Sequence, residues 1–169
     1  MAELVFQWYA IYVKSRHEFK VFERLKKAGI EAFLPAVERL RKWKDRKKLV
    51  KFPLFTGYLF VYIEKSYESM LRVLKTPGVV NFIKNPSGEP EPVPDEEIDP
   101  LKKAIESKKE IDPYPYLKEG QTVRIKSGAL QGVVGILKKK EKQHYLILSI
   151  HILQRSVSVR IDASEVELV

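Results

Sequence analysis

The chain has 169 residues, enough for one ordinary domain or two small ones, and 44% are apolar, so a packed core is expected and global disorder is not. Cysteine is absent, no cationic-then-apolar leader opens the chain, and no run reaches the roughly 18 apolar residues needed to span a bilayer; these features exclude disulfides and thiolate metal sites and lead us to expect a soluble cytoplasmic protein. Net charge is +9 but unevenly spread, −5 over residues 85–115 and +14 elsewhere, a balance that points to a polyanion, nucleic acid first.

Gln7 to Val13 is aromatic and β-branched and reads as a first strand. Ser15 and Glu18 have the spacing of a capping box, opening a helix from about Arg16 to Ala28 with Phe19, Phe22 and Leu25 inward. Glu31 to Ala36 reads as a short second strand. Glu38 to Lys51 then packs 8 Lys or Arg and 2 acids into 14 residues around Trp43. It reads as a hairpin with its tip at Lys44 to Lys47, projecting into solvent because it has little to bury.

Tyr58 to Ile63 is an unbroken aromatic and β-branched run, read as the central strand of a sheet. Pro53 and Gly57 shape its approach. Ser66 is placed to cap a helix carrying Tyr67, Met70, Leu71 and Leu74 inward, which Pro77-Gly78 ends before a strand over Val79 to Ile83. Glu89 to Pro94 is extended by its prolines, and Asp99-Pro100 reads as the N-cap and first position of a helix reaching about Lys108.

This order implies a ferredoxin-like α/β sandwich over 1–108. Residues 109–117, charged and proline-bearing, read as a linker. Residues 118–169 hold short strands at Thr122–Lys126, Val133–Leu137, Tyr145–Ile150, Ser156–Ile161 and Val166–Val169, with Lys138 to Lys142 as a loop tip; a small five-stranded barrel hides their edges best. The fold class is thus α+β.

Catalytic signatures are missing: there is no P-loop, GxSxG or HExxH, and His17, His144 and His151 lack metal-ligand spacing, so no enzyme, metal or cofactor is expected. The nucleic-acid candidates are Arg39, Arg41, Lys42, Trp43, Lys44, Arg46, Lys47 and Lys48 on the hairpin, with Trp43 able to stack on a base. Lys14, Arg16 and His17 join them where the first strand meets its helix, and Arg72 on the second helix could extend that face.

Lys118 to Leu137, with a Gly-x-x-Val-x-Ile strand, a glycine turn, a central Gly and a second strand, resembles a KOW motif. Trp8 to Tyr12, Pro53 to Val61 and Thr76 to Val80 resemble the NGN domain of the NusG family of transcription elongation factors. The combination covers nearly the whole chain. The resemblance implies an NGN sandwich with a basic hairpin and an SH3-like KOW barrel. It implies a monomeric elongation or antitermination factor that grips the clamp helices of bacterial RNA polymerase through an apolar depression, matched by position at Tyr12, Phe55 and Ile98. The residues alone leave open whether Tyr12 and Phe55 are exposed or buried.

The basic face would then hold an RNA hairpin or non-template DNA, and the KOW barrel, on a flexible tether, would engage a ribosomal protein or Rho. The Phe-Gly-Arg loop of housekeeping members is replaced by Ser149 to Arg155, which with the heavy hairpin resembles operon-specific paralogues of the LoaP-like group, ahead of the RfaH or UpxY type. The reading from another class is a KOW-containing rRNA-binding protein of ribosome assembly or translation.

Overall fold

The computed structural model describes residues 5–169, the Trp43 side chain excepted. The chain divides into two compact units, one made of Met1–Pro35 with Phe55–Asp95 and the other of Ala36–Leu54 with Glu96–Val169.

In the first unit, strand β1 (Phe6–Val13) leads to helix α1 (Glu18–Lys27) and strand β2 (Glu31–Phe33). After the excursion into the other unit come β5 (Tyr58–Glu64), α2 (Tyr67–Leu74), β6 (Val79–Phe82) and β7 (Pro92–Val93). The sheet runs β2-β5-β1-β6, with β7 also on β1. β5 is therefore central, as its apolar run predicts, flanked by β2 and β1. Seven residues of β1 pair with β5, and opposed residues share a face. Tyr9 with Val61 and Ile11 with Leu59 face the helices, joining Val21, Leu25 and Val73 in one buried cluster.

The helices are turned from their expected orientation. α1 buries Val21 and Leu25, leaving Phe19 36% exposed, and α2 buries Val73 while Tyr67 is 80% exposed. Ser66 caps α2 as read, its Oγ accepting from the Ser69 N–H at 3.1 Å. The capping box of α1 does not form. Arg16 takes a left-handed φ of 62°, the N-cap moves to His17, and no side chain caps that end. Glu18 turns inward instead: it is buried, and its Oε2 accepts the Gly57 N–H at 3.1 Å.

The second unit holds β3 (Ala36–Trp43) and β4 (Arg46–Pro53), an isolated two-stranded ribbon joined by Lys44-Asp45. The turn is thus two residues, with Lys44 at φ 53°. Helix α3 (Asp95–Glu106) starts a turn before the expected Asp99 cap and carries Pro100 inside it. Ile111–Tyr114 forms strand β8 in the stretch read as a linker. β9 (Thr122–Ile125), β10 (Val134–Lys140), β11 (Gln143–Ile150), β12 (Arg155–Ile161) and β13 (Val166–Leu168) follow.

Their sheet order is β13-β9-β10-β11-β12-β8, six strands where five were expected. The extra strand exists because Ile111 to Tyr114 pair with Val159 to Ser156, which satisfies the outer edge of β12. Lys138 to Lys140 extend β10, so the loop tip shrinks to Glu141-Lys142. Gly135 has no freedom to vary, since a Cβ there would lie 2.8 Å from the Ile147 carbonyl oxygen.

Candidate nucleic-acid interface

A two-stranded ribbon has no layer to pack on by itself, so its sequence is free to be charged on both faces. Eight residue pairs hold β3 and β4 in register. Two of those pairs set cation against cation: Arg41 opposes Lys48, and Lys42 opposes Lys47. Opposed residues of an antiparallel pair stand about 5 Å apart at Cβ, and like charges there destabilise the pairing. The ribbon therefore carries built-in repulsion that an anion lying along it relieves.

Alternation sorts the side chains onto two faces. Val37, Arg39 and Arg41 share one with Lys48, Val50 and Phe52, while Glu38, Leu40 and Lys42 share the other with Lys47, Leu49 and Lys51. On the first face the Arg41 guanidinium carbon lies 4.2 Å from the centroid of the Phe52 ring, a cation–π contact. Arg39 is otherwise engaged. Its Nη2 donates to the Ile111 carbonyl and to the Asp112 carboxylate, tying the ribbon to β8. Arg39 is thus an anchor within this unit, engaged with β8 where the sequence suggested a free cation. Lys42, Lys44, Arg46, Lys47 and Lys48 are exposed and carry no ion pair among the described residues. The side chain of Trp43, expected as a stacking group, lies outside the described residues.

The second candidate patch belongs to the first unit. Lys14 and Arg16 are exposed and His17 half-buried, gathered in the turn before α1 by the His17 N–H donating to the Lys14 carbonyl at 3.0 Å. Arg72 does not extend this patch. Its Nη2 donates to the Ala28 carbonyl at the far end of α1. Ten helical residues put about 15 Å between those ends. Arg72 is instead a cation on the carbonyl end of α1, where the helix dipole favours it.

The apolar candidates separate by burial. Tyr12 is 43% exposed and its ring sits 5.5 Å from that of Tyr58. Phe55 is 2% exposed and Ile98 is fully buried, so neither offers a side-chain surface in this structure. Gly57 explains the close fit: at φ 87° it permits the turn, and a Cβ there would come 3.1 Å from the Tyr12 ring.

Elsewhere in the second unit, the Glu97 carboxylate of α3 accepts the His151 backbone N–H at 2.7 Å, and the Tyr116 hydroxyl lies 2.8 Å from His151 Nδ1. Burial pushes the Glu97 carboxyl above its usual value, against the lowering effect of that N–H. The sequence reading gave Glu18 a capping role and did not single out Glu97, because a helical carboxylate looks like any other solvated acid until its long-range partner is known. No group of residues suited to hold a metal ion occurs among the described residues, and no helix there is long and apolar enough to cross a membrane.

These features define a class: an α+β protein joining a ferredoxin-like sandwich to a second, β-rich unit that displays a strongly cationic ribbon. A family model described as transcription termination factor nusG matches residues 6–102. The chain is 30% identical over 176 aligned positions to the transcription termination/antitermination protein NusG of Pseudomonas aeruginosa, covering 96% of this chain and 98% of that one. It is 29% identical to the Campylobacter jejuni protein of the same name, over 95% and 96% of the two chains. A solved structure concerned with domain interaction in Thermotoga maritima NusG superposes with a TM-score of 0.60 at 25% identity, covering 98% of each chain. The chain belongs to the NusG family.

Proposed function

We propose that this protein is a transcription elongation and antitermination factor that binds RNA polymerase and holds nucleic acid on its cationic ribbon. The observation that carries this reading is the register that opposes Arg41 to Lys48 and Lys42 to Lys47, within a chain of this family. Such a ribbon is weakened by its own charges and strengthened by a polyanion, whether an RNA hairpin or the non-template DNA strand. Lys14, Arg16 and His17 form a second contact.

The polymerase surface is the exposed Tyr12 beside Tyr58, gripping the tip of the clamp helices; Phe55 and Ile98 are buried and add no exposed side chain to it. By bridging the clamp to the opposite wall of the main channel, the protein suppresses pausing. Residues 1–108 act as the NGN module, supported by a family match that spans the ribbon and much of α3, and 118–169 as the KOW module. That KOW module recruits a ribosomal protein or Rho. The turn at His151–Leu153, which stands where housekeeping members carry Phe-Gly-Arg, supports an operon-specific role of the LoaP-like kind. The protein works as a cytoplasmic monomer.

Single-round transcription with purified bacterial RNA polymerase tests this. The full chain is expected to shorten pauses and raise terminator read-through, Tyr12→Ala to lose co-purification with polymerase, and Lys42→Gln with Lys47→Gln to lose the effect while still binding polymerase. A chain that leaves pausing unchanged and does not co-purify sinks the proposal and returns the rRNA-binding reading.

A further inference from the structure

The two faces of the ribbon are chemically different, and the difference bears on what kind of nucleic acid fits. One face sets the Leu40–Leu49 pair, 65% and 60% exposed, among lysines. The other holds an open depression of about 530 Å³ lined by Arg41, Lys48, Val50 and Phe52 of that face together with Lys42, whose register position belongs to the opposite face. Val50 and Phe52 are half-buried, so they give it an apolar floor, and the Arg41 guanidinium already lies on the Phe52 ring. Lys42 and Lys48 supply exposed positive charge at its rim.

We propose that this depression is a nucleotide subsite, which takes one unpaired base of a single strand on the Arg41–Phe52 stack and the flanking phosphates on Lys42 and Lys48. The inference rests on the nucleic-acid reading of the ribbon and narrows it from any polyanion to an unpaired one.

Simple phosphate binding needs only mobile ammonium groups; a guanidinium held flat on an aromatic ring adds a planar surface, and every base has a π-face that stacks on one. The stack also holds Arg41 in place opposite Lys48, so the ordering of a long side chain is largely complete before the ligand arrives. Finally, a base inside a duplex has both faces covered by its neighbours. Only an extruded or unpaired base can enter a site of this kind, whereas the phosphates of a duplex reach the rim lysines equally well. The depression therefore discriminates by pairing state, with little demand on base identity.

Fluorescence anisotropy with the full chain provides the test, using a labelled strand made as DNA and as RNA, the same strands annealed to their complements, and versions carrying abasic sites. Abasic sites keep the phosphates and remove the bases. Wild type is expected to lose about tenfold in affinity for the abasic version of whichever strand, DNA or RNA, is the ligand, in keeping with the loss of one stacked base. Phe52→Leu and Arg41→Lys, which keep an apolar side chain and a positive charge respectively, should bind the intact strand about tenfold more weakly and lose nothing further with abasic sites. Their duplex binding should not change.

Lys42→Gln with Lys48→Gln should weaken intact and abasic strands alike and lower the salt dependence by about 1.4 in log–log slope. Equal wild-type affinity for intact and abasic strands of both kinds overturns the subsite, even if the lysine variants still lose affinity and the charge reading survives. Indifference of every strand to the lysine substitutions overturns the charge reading and the subsite with it. The abasic comparison uses unaltered protein, so no folding defect in a variant can confuse it.

Discussion

β1–β5 and β3–β4 are both antiparallel pairs, seven and eight residues in register, yet they stand for different ways of holding two strands together. In the first, Tyr9, Ile11, Leu59, Phe60 and Val61 are almost wholly buried, and area removed from water does the work. In the second, most side chains are exposed and none is fully buried among the described residues, two cross-strand pairs repel, and Arg39 ties the ribbon to β8. The backbone ladder is the same. Side-chain burial decides which pair is structural support and which displays its side chains to solvent.

The strongest way to break this contrast is to truncate matched positions. Phe60→Ala should cost about 3–5 kcal/mol in urea unfolding, because Phe60 is fully buried and stacks on Phe33 with ring centroids 6.0 Å apart. Leu40→Ala or Leu49→Ala should stay within about 0.5 kcal/mol of wild type. Comparable losses at both sites would mean that the ribbon is buried in solution.

Next in size is Glu18, which serves the approach to β5. Glu18→Ala leaves the buried Gly57 N–H without its acceptor and should cost about 1–3 kcal/mol by the same measurement, while Glu18→Gln restores most of it. A Gln variant no better than Ala would show that the negative charge matters and the acceptor does not.

Arg39→Ala should move global stability by only about 0.2–1 kcal/mol, since its ion pair is 44% and 37% exposed, but should speed hydrogen exchange across β3 and β4 selectively. Uniformly faster exchange would remove the anchor assignment.

The smallest effect is a pH slope. Glu97 holds its proton more tightly folded than unfolded, so stability is gained as pH falls through its raised folded value towards the ordinary 4.5, and Glu97→Gln should flatten that slope in urea midpoints. A slope unchanged in the variant would assign it elsewhere.

Local pattern carried much of the fold. β1, β5, the Ser66 cap, the cationic hairpin and the β-rich C-terminal half were all legible, because each depends on residues adjacent in sequence. What escaped depends on distant partners. The propensity of Ser15 and Glu18 to form a capping box lost to a buried bond with Gly57, 39 residues away. Ile111 to Tyr114 look like a charged linker until β12 offers its edge. Arg39 and Arg72 look like any surface cations, and only the positions of Ile111, Asp112 and Ala28 reveal them as structural. Composition located the cationic ribbon, but the division of its two faces came from register, which a charge count does not contain.

The isolated ribbon also has a consequence for solubility. Among the described residues no strand pairs with either of its long edges, which leaves a row of N–H and C=O groups that another extended chain could join. Lysine and arginine along such edges keep two copies apart, so the charges proposed to hold a polyanion also protect the molecule from joining its own kind. Stripping them away to silence binding would leave Leu40, Leu49 and two bare edges facing solvent, and the price of the silent variant would be concentration-dependent self-association.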